Sequence, residues 1–323
     1  MKKFILKSAL YIFLILLLLE GIVRALHLYT EDPPRFIDEY GVEKRVPDNS
    51  GYAVTGNRNQ NFSEFHINKA GFNSHREFEP SRDNYELALI GDSFIEGFHQ
   101  DYYSSTGKRI EERIKGIEVY EYGYAGYDFA NQIHLVDAYS DDFELIDQII
   151  FYLNYENDLD RGIYEPNHGR IKMLSSPLFR IRDNIKLLAY GSKIGIVEPL
   201  KKLAQDGIAF GDTDDAYKDN AMQSETKAQK KAKDLKRIDN FKSLVALYGF
   251  DKGKSALLLD SRKTSDLFLE FLKENGFRYI DFADRFAASK KSTNLIYDHH
   301  WNAHGRELIA EEISEYLNDL GKR

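Results

Sequence analysis

The chain has 323 residues, 42% of them hydrophobic and 30% charged, with a formal net charge of −8. That is enough to bury a sizeable core in one large domain with insertions or in two smaller ones. The acidic balance offers nothing to a nucleic-acid backbone. No cysteine is present, which excludes disulfides, thiolate metal sites, a cysteine nucleophile and a lipid-modified cysteine anchor.

Lys2, Lys3 and Lys7 precede an apolar run from Ser8 to Leu19, and Glu20 interrupts before Gly21-Ile22-Val23. Basic residues ahead of an apolar segment are an export signal. The uncharged run of 12 residues suits a signal-peptide core. Counted from Phe4 to Val23, with Lys7 and Glu20 able to snorkel, the segment has 20 residues and suits a membrane anchor. Val23-Arg24-Ala25 resembles a cleavage site, with an awkward arginine inside it. The expectation is an uncleaved anchor over residues 1–26, with the catalytic domain outside the cytoplasm, or secretion if the segment is cleaved.

Residues 27–60 are polar and rich in Pro, Asn, Gly and Asp, the composition of a juxtamembrane linker. Asn61 to Phe72 alternates apolar and polar residues, as a short strand or hairpin does. Strand and helix signals then alternate from Leu87 onward. Strands are expected at Leu87–Ile90, Ile117–Tyr122, Gln148–Leu153, Ser255–Leu259 and Phe277–Phe282. Helices are expected at Thr106–Lys115, Phe129–Tyr139, Thr264–Glu274 and Gly305–Leu320. This pattern predicts an α/β fold, three layers around a mostly parallel five-stranded sheet, flavodoxin-like in strand order.

The domain is expected over residues 81–323, after short strands within 27–80. A helical insertion at about 160–250 interrupts the rhythm. It contains helical pieces at Ile185–Tyr190 and Val197–Ala204, a break at Gly207–Asp215 and a lysine-rich helix at Lys227–Lys236. The lysines suit a solvated face, or contact with an anionic membrane or polysaccharide.

Chemistry-bearing residues gather at the carboxyl ends of the expected strands, where open α/β sheets bind ligands. Gly91-Asp92-Ser93 follows the first strand, and its serine can point into a crevice or, with Asp92, simply cap a helix. Glu121 to Asp128 contains glycines that let a backbone N–H face an oxyanion. It lacks the Gly-x-Gly-x-x-Gly and Gly-Lys-Ser patterns of nucleotide loops. Asn157 follows the third strand and offers an uncharged donor, although Asn and Asp end strands routinely. Asp298 and His300 precede the last helix, where a histidine can take a serine proton while a carboxylate fixes its tautomer. His299, His300 and His304 also permit a metal reading, which no cysteine or His-Glu-x-x-His pattern supports. Neither a metal nor a cofactor is expected.

In this order the four blocks resemble those of the SGNH, or GDSL-type, hydrolase superfamily. Gly91-Asp92-Ser93 is similar to its first block, Gly126 to its second, Glu156-Asn157-Asp158 to its third and Asp298-x-His300 to its last. The resemblance runs from Leu87 to the carboxyl terminus, with 160–250 unmatched. The last block has Asp-x-His followed by Trp-Asn instead of Asp-x-x-His and Pro-Asn, a form similar to the alginate O-acetyltransferase branch and to membrane-anchored bacterial members. The third block carries Glu156 where glycine is usual. The resemblance implies a catalytic set of Ser93, His300 and Asp298, and an oxyanion hole from Ser93, Gly126 and Asn157. It implies an esterase acting on an O-acyl, acetyl for instance, group of a carbohydrate or lipid. An O-acyltransferase of envelope glycans and a non-catalytic glycan-binding protein are the alternatives.

Overall fold

The computed structural model describes residues 1–56, 59–196 and 226–321. Helix α1 (Lys2–Ala25) forms the amino-terminal apolar segment. Its apolar side chains from Phe4 to Leu19 are exposed, and it is long and apolar enough to cross a bilayer.

The stretch expected as an irregular linker is instead structured. Strand β1 (Arg35–Ile37) pairs with β2 (Glu43–Arg45), and β3 (Asn49–Thr55) pairs with β4 (Asn61–Ile67), both antiparallel. Apolar alternation does not mark β2 because its burial is ionic. Glu43, Lys44 and Arg45 are all buried, and Arg45 reaches Glu96 at 2.8 Å and Asp32 at 2.6 Å. The β3–β4 hairpin buries Ala53, Phe65 and Ile67 against Phe98, matching the alternation in its sequence.

The central elements follow in chain order: β5 (Tyr85–Gly91), α2 (Ser93–Glu96), α3 (Thr106–Arg113), β6 (Ile117–Gly123), α4 (Phe129–Ala138), α5 (Ser140–Leu145) and β7 (Gln148–Tyr152). Next come α6 (His168–Leu174), α7 (Pro177–Asn184), α8 (Lys186–Lys193), α9 (Lys227–Tyr248) and β8 (Ser255–Leu259). The chain closes with α10 (Asp266–Glu274), β9 (Tyr279–Asp281), α11 (Ala283–Ala288) and α12 (Ala303–Gly321). The sheet runs β6-β5-β7-β8-β9, every pair parallel, which is the flavodoxin-like order.

Both faces of the sheet are covered, so its strands read as continuous apolar runs. Alternate residues still separate cleanly. Leu87, Leu89, Val119, Ile150, Ala256 and Leu258 join one core with Ile110 of α3 and Ile309, Ile313 and Leu317 of α12. Ala88, Ile90, Tyr120, Ile149, Phe151 and Leu257 join the other with Phe129 of α4, Phe241 of α9 and Phe268 of α10. That is a three-layer α/β/α domain.

Helix α9 has two characters. Its lysines at 227, 230, 231, 233 and 236 are exposed. Farther along, Ile238, Phe241 and Leu244 are buried, and Phe241 stacks on Phe129 with centroids 5.0 Å apart. The helix is therefore the crossover between β7 and β8, and the lysine-rich start hides its core-facing second half. The pieces expected at 197–204 and 207–215 lie outside the described residues.

Candidate active site

Strand β5 ends in a turn that leaves no room for a side chain at Gly91. A Cβ there would stand 2.4 Å from Ile95 Cγ1 and 3.0 Å from Tyr152 Cβ. Asp92 caps α2, its Oδ1 accepting the Phe94 N–H at 2.8 Å. Ser93 is the first residue of that helix, half-buried at the carboxyl edge of the sheet. The capping and presenting readings of Asp92-Ser93 are thus both realised. Gly97, at φ +72°, closes the turn and sends the chain toward His99.

The Gly126 loop is laced onto this turn. Gly123 lies so close to α2 that a Cβ would come within 2.1 Å of Glu96 N. Tyr124 N–H donates to Gly91 O at 3.1 Å, and Ala125 N–H donates to Glu96 Oε2 at 3.0 Å. Ala125 O accepts from Arg35 at 2.9 Å and from Arg170 of α6 at 3.3 Å. Gly126 itself sits at φ +94°, a conformation that side chains rarely adopt.

After β7 the chain forms a tight turn. The N–H groups of Asn157 and Asp158 both donate to Asn154 O, at 3.0 and 2.9 Å, and Asp158 Oδ2 accepts the Asn154 N–H at 2.7 Å. Asn157 is exposed on this turn, whereas Asn154, two residues past the strand, is half-buried.

The loop before α12 is clamped at both sides. Leu295 N–H donates to His300 O at 2.9 Å, and Asn302 Oδ1 receives the Gly305 N–H at 2.9 Å. Trp301 is buried as a wedge against Phe94 and Tyr152, with centroids 4.9 and 5.0 Å away. This seating delivers His300 to Ser93. His300 Nε2 lies 2.7 Å from Ser93 Oγ, and His300 Nδ1 lies 3.2 Å from Asp298 Oδ1. The same Oδ1 also accepts the backbone N–H of His300 at 2.8 Å. Serine from the first block and histidine and aspartate from the last meet at one edge of a 2-1-3-4-5 sheet. The arrangement is that of a serine–histidine–aspartate set.

No protein-family model matches the chain, and no curated protein does. Among solved structures it is similar to a member of the lipolytic G-D-S-L family from Veillonella parvula, at 12% identity and a TM-score of 0.38, over 72% of this chain and 97% of that one. It is also similar to a lipase/acylhydrolase from Enterococcus faecalis, at 11% identity and a TM-score of 0.40, over 72% and 95%. A lipase from a goat rumen metagenome shares 11% identity at a TM-score of 0.38, over 72% and 96%. At these values the functional reading rests on the site's own residues.

The site has one member that no motif announced. His99 Nε2 lies 3.2 Å from Asp298 Oδ2, and its ring stacks on His300 with centroids 4.1 Å apart. His99 sits in a turn far from the last block, so only the fold brings it to Asp298. Burial pushes its pKa below the usual histidine range, against the pull of Asp298. Asp298 is held well below the usual carboxylate range, because hydrogen bonds from His300 and His99 outweigh its burial.

Two further carboxyls behave oppositely. Burial pushes Asp92 up to about 6, and burial together with Asp92 pushes Asp158 well above its ordinary value. Arg306 of α12, fully buried and lowered to about 10 by desolvation, donates to Phe94 O at 2.6 Å and so ties the last helix to the Ser93 turn.

The histidine trio that permitted a metal reading does not assemble. His304 Nε2 is bonded to Ser289 Oγ at 2.8 Å, and α12 begins only at Ala303, so His300 and His304 do not share a helical face. Among the described residues, the group that could hold a metal ion is His99, Asp298 and His300, whose ligand atoms lie within 4.8 Å of one another. In the present geometry both His300 nitrogens already face Ser93 and Asp298.

Proposed function

We propose that the chain is a serine ester hydrolase of the SGNH type, acting on O-acyl groups of a carbohydrate or lipid. The observation that carries this reading is the 2.7 Å contact of Ser93 Oγ with His300 Nε2, backed by Asp298. With Nδ1 facing a carboxylate, the imidazole carries its proton there and presents a lone pair on Nε2 to the serine hydroxyl.

Ser93 Oγ attacks the acyl carbon while its proton passes to His300 Nε2, and Asp298 stabilises the imidazolium. The oxyanion is met by backbone N–H groups of Ser93, at the start of α2, and of Gly126, with a side-chain amide from the turn after β7. Asn157 fits that role by its place in the third block. Half-buried Asn154 is the residue to compare with it. Collapse breaks the ester C–O bond, and His300 returns its proton to the departing alcohol. Water then attacks the acyl-serine with His300 as base, releasing the acid and restoring Ser93. His99 holds the second oxygen of Asp298, which keeps the carboxylate aimed at His300.

The test is turnover of a p-nitrophenyl acetate ester by the full chain beside Ser93→Ala and His300→Ala. Both variants should lose roughly 10³-fold or more in kcat with folding intact. Equal rates in all three would overturn the nucleophile assignment. Transfer to a sugar hydroxyl in place of water needs the same residues. Since Trp301 is buried in packing, it does not argue for a particular acceptor. Acyl groups appearing on a supplied glycan would mark the transferase.

A further inference from the structure

The carboxyl end of α1 is clamped to the joint between α7 and α8. Glu20 stands where the uncharged run of α1 ends, and its two oxygens accept the backbone N–H groups of Lys186 and Leu187, at 3.0 and 2.6 Å. These are free donors of the first turn of α8, so Glu20 serves as that helix's cap. Arg24, paired with Glu20 at 2.7 Å, donates to Asn184 O at 2.7 Å, on the last residue of α7. Lys186 Nζ stands 4.6 Å over the Tyr29 ring. The two short helices are thereby fixed at the level where α1 stops being apolar.

Their outward side is apolar. Leu178, Ile181, Ile185 and Leu188 recur at spacings of three, four and three, and are 48%, 50%, 42% and 41% exposed. Ile185 is the extended junction between the two helices, so these side chains form an exposed apolar patch across α7 and α8. The segment 177–196 also carries four basic residues, Arg180, Arg182, Lys186 and Lys193, against the single acid Asp183. An exposed apolar patch with basic flanks, held beside an apolar helix of spanning length, has the makings of an interfacial segment.

We propose that α7 and α8 form a foot that lies in the headgroup layer of the bilayer holding α1, with this patch turned into the acyl boundary. The inference rests on reading α1 as a membrane anchor. It also gives the segment between α6 and α8 a purpose in the site. Arg170 of α6 reaches Ala125 O beside Gly126. Lys193 at the end of α8 donates to Val54 O at 3.1 Å and Asn59 Oδ1 at 2.7 Å, and the neighbouring Thr55 hydroxyl lies 2.8 Å from the Tyr297 hydroxyl, next to Asp298. A foot on the membrane therefore sets the walls of the catalytic cleft at the lipid surface, where an acyl ester borne on a lipid or glycolipid would be met.

Because the chain has no cysteine, single cysteines can be spin-labelled without background. Full-length protein carrying Leu16→Cys, Ile181→Cys, Leu188→Cys or Asp183→Cys would be placed in nanodiscs of phosphatidylcholine and phosphatidylglycerol. Accessibility to oxygen and to a water-soluble nickel chelate is then compared. The foot predicts that 181 and 188 match 16 in favouring oxygen, several-fold above 183. Lipid exposure at 16 with water exposure at 181 and 188 overturns the foot and leaves the anchor standing. Water exposure at 16 as well overturns the anchor. Dipolar broadening at 181 or 188 shows a second copy covering the patch and also overturns the inference.

Discussion

Asp298 divides one carboxylate between two histidines and a backbone N–H. Replacing it with asparagine removes the charge that steadies the imidazolium, and kcat should fall roughly 10³–10⁴-fold with KM little changed. His99 acts through Asp298, so its variants need a finer measurement. His99→Phe keeps a ring against His300 but deletes the N–H. Without that donor Asp298 loses part of what holds its pKa down, so it takes up its proton at higher pH and the acid side of kcat/KM moves up with it. A loss of about tenfold in kcat is the scale of one charge-assisted hydrogen bond. An unshifted pH profile beside a lowered Tm would instead mark His99 as packing alone. Ser93, Asp298 and His300 were legible because short motifs carry them. His99 was not, since a lone histidine has no meaning until the turn at Gly97 brings it to the last block.

At the scale of elements, the Gly126 loop and the Ser93 turn are joined by one carboxylate. Glu96, 2% exposed, accepts the Ala125 N–H with one oxygen and pairs with buried Arg45 through the other. Removing Glu96 leaves the buried Arg45 charge with only Asp32 as its partner. Glu96→Ala should therefore cost about 3–5 kcal/mol of stability, measured by urea unfolding, and should lower kcat through the Gly126 loop. A cost below about 1 kcal/mol would show that water reaches Arg45. This linkage explains why residues 27–60 defeated the sequence reading. Hydrophobic periodicity finds strands that bury apolar side chains, and β2 buries Glu43, Lys44 and Arg45 instead. The lysine run of α9 is exposed, as a solvated face is, but the helix continues past it to Tyr248 and buries Ile238 and Phe241. The five central strands, with their alternating cores on both faces, were legible throughout.

For the whole molecule, stability should depend on pH through a histidine remote from the catalytic set. His75 lies 2.9 Å from Glu111 and 3.8 Å from Glu121. Burial works against its charge, but the two carboxylates outweigh it and raise its pKa from 6.5 to about 9. A raised folded value means the stabilisation is complete below the unfolded value and is lost as pH climbs through the folded one. Tm should therefore fall between pH 6.5 and pH 9 or a little above, by the equivalent of up to about 3 kcal/mol. His75→Gln should flatten that slope. An identical slope in both proteins would move the cause elsewhere.

Covalent trapping tests the serine mechanism most directly. The full chain would be treated with a fluorophosphonate, digested, and the modified residue located by mass spectrometry. The account predicts a single phosphonyl adduct on Ser93, absent in Ser93→Ala and formed orders of magnitude more slowly in His300→Ala. Ester turnover that persists while Ser93 stays unmodified, or in Ser93→Ala at the wild-type rate, would contradict it.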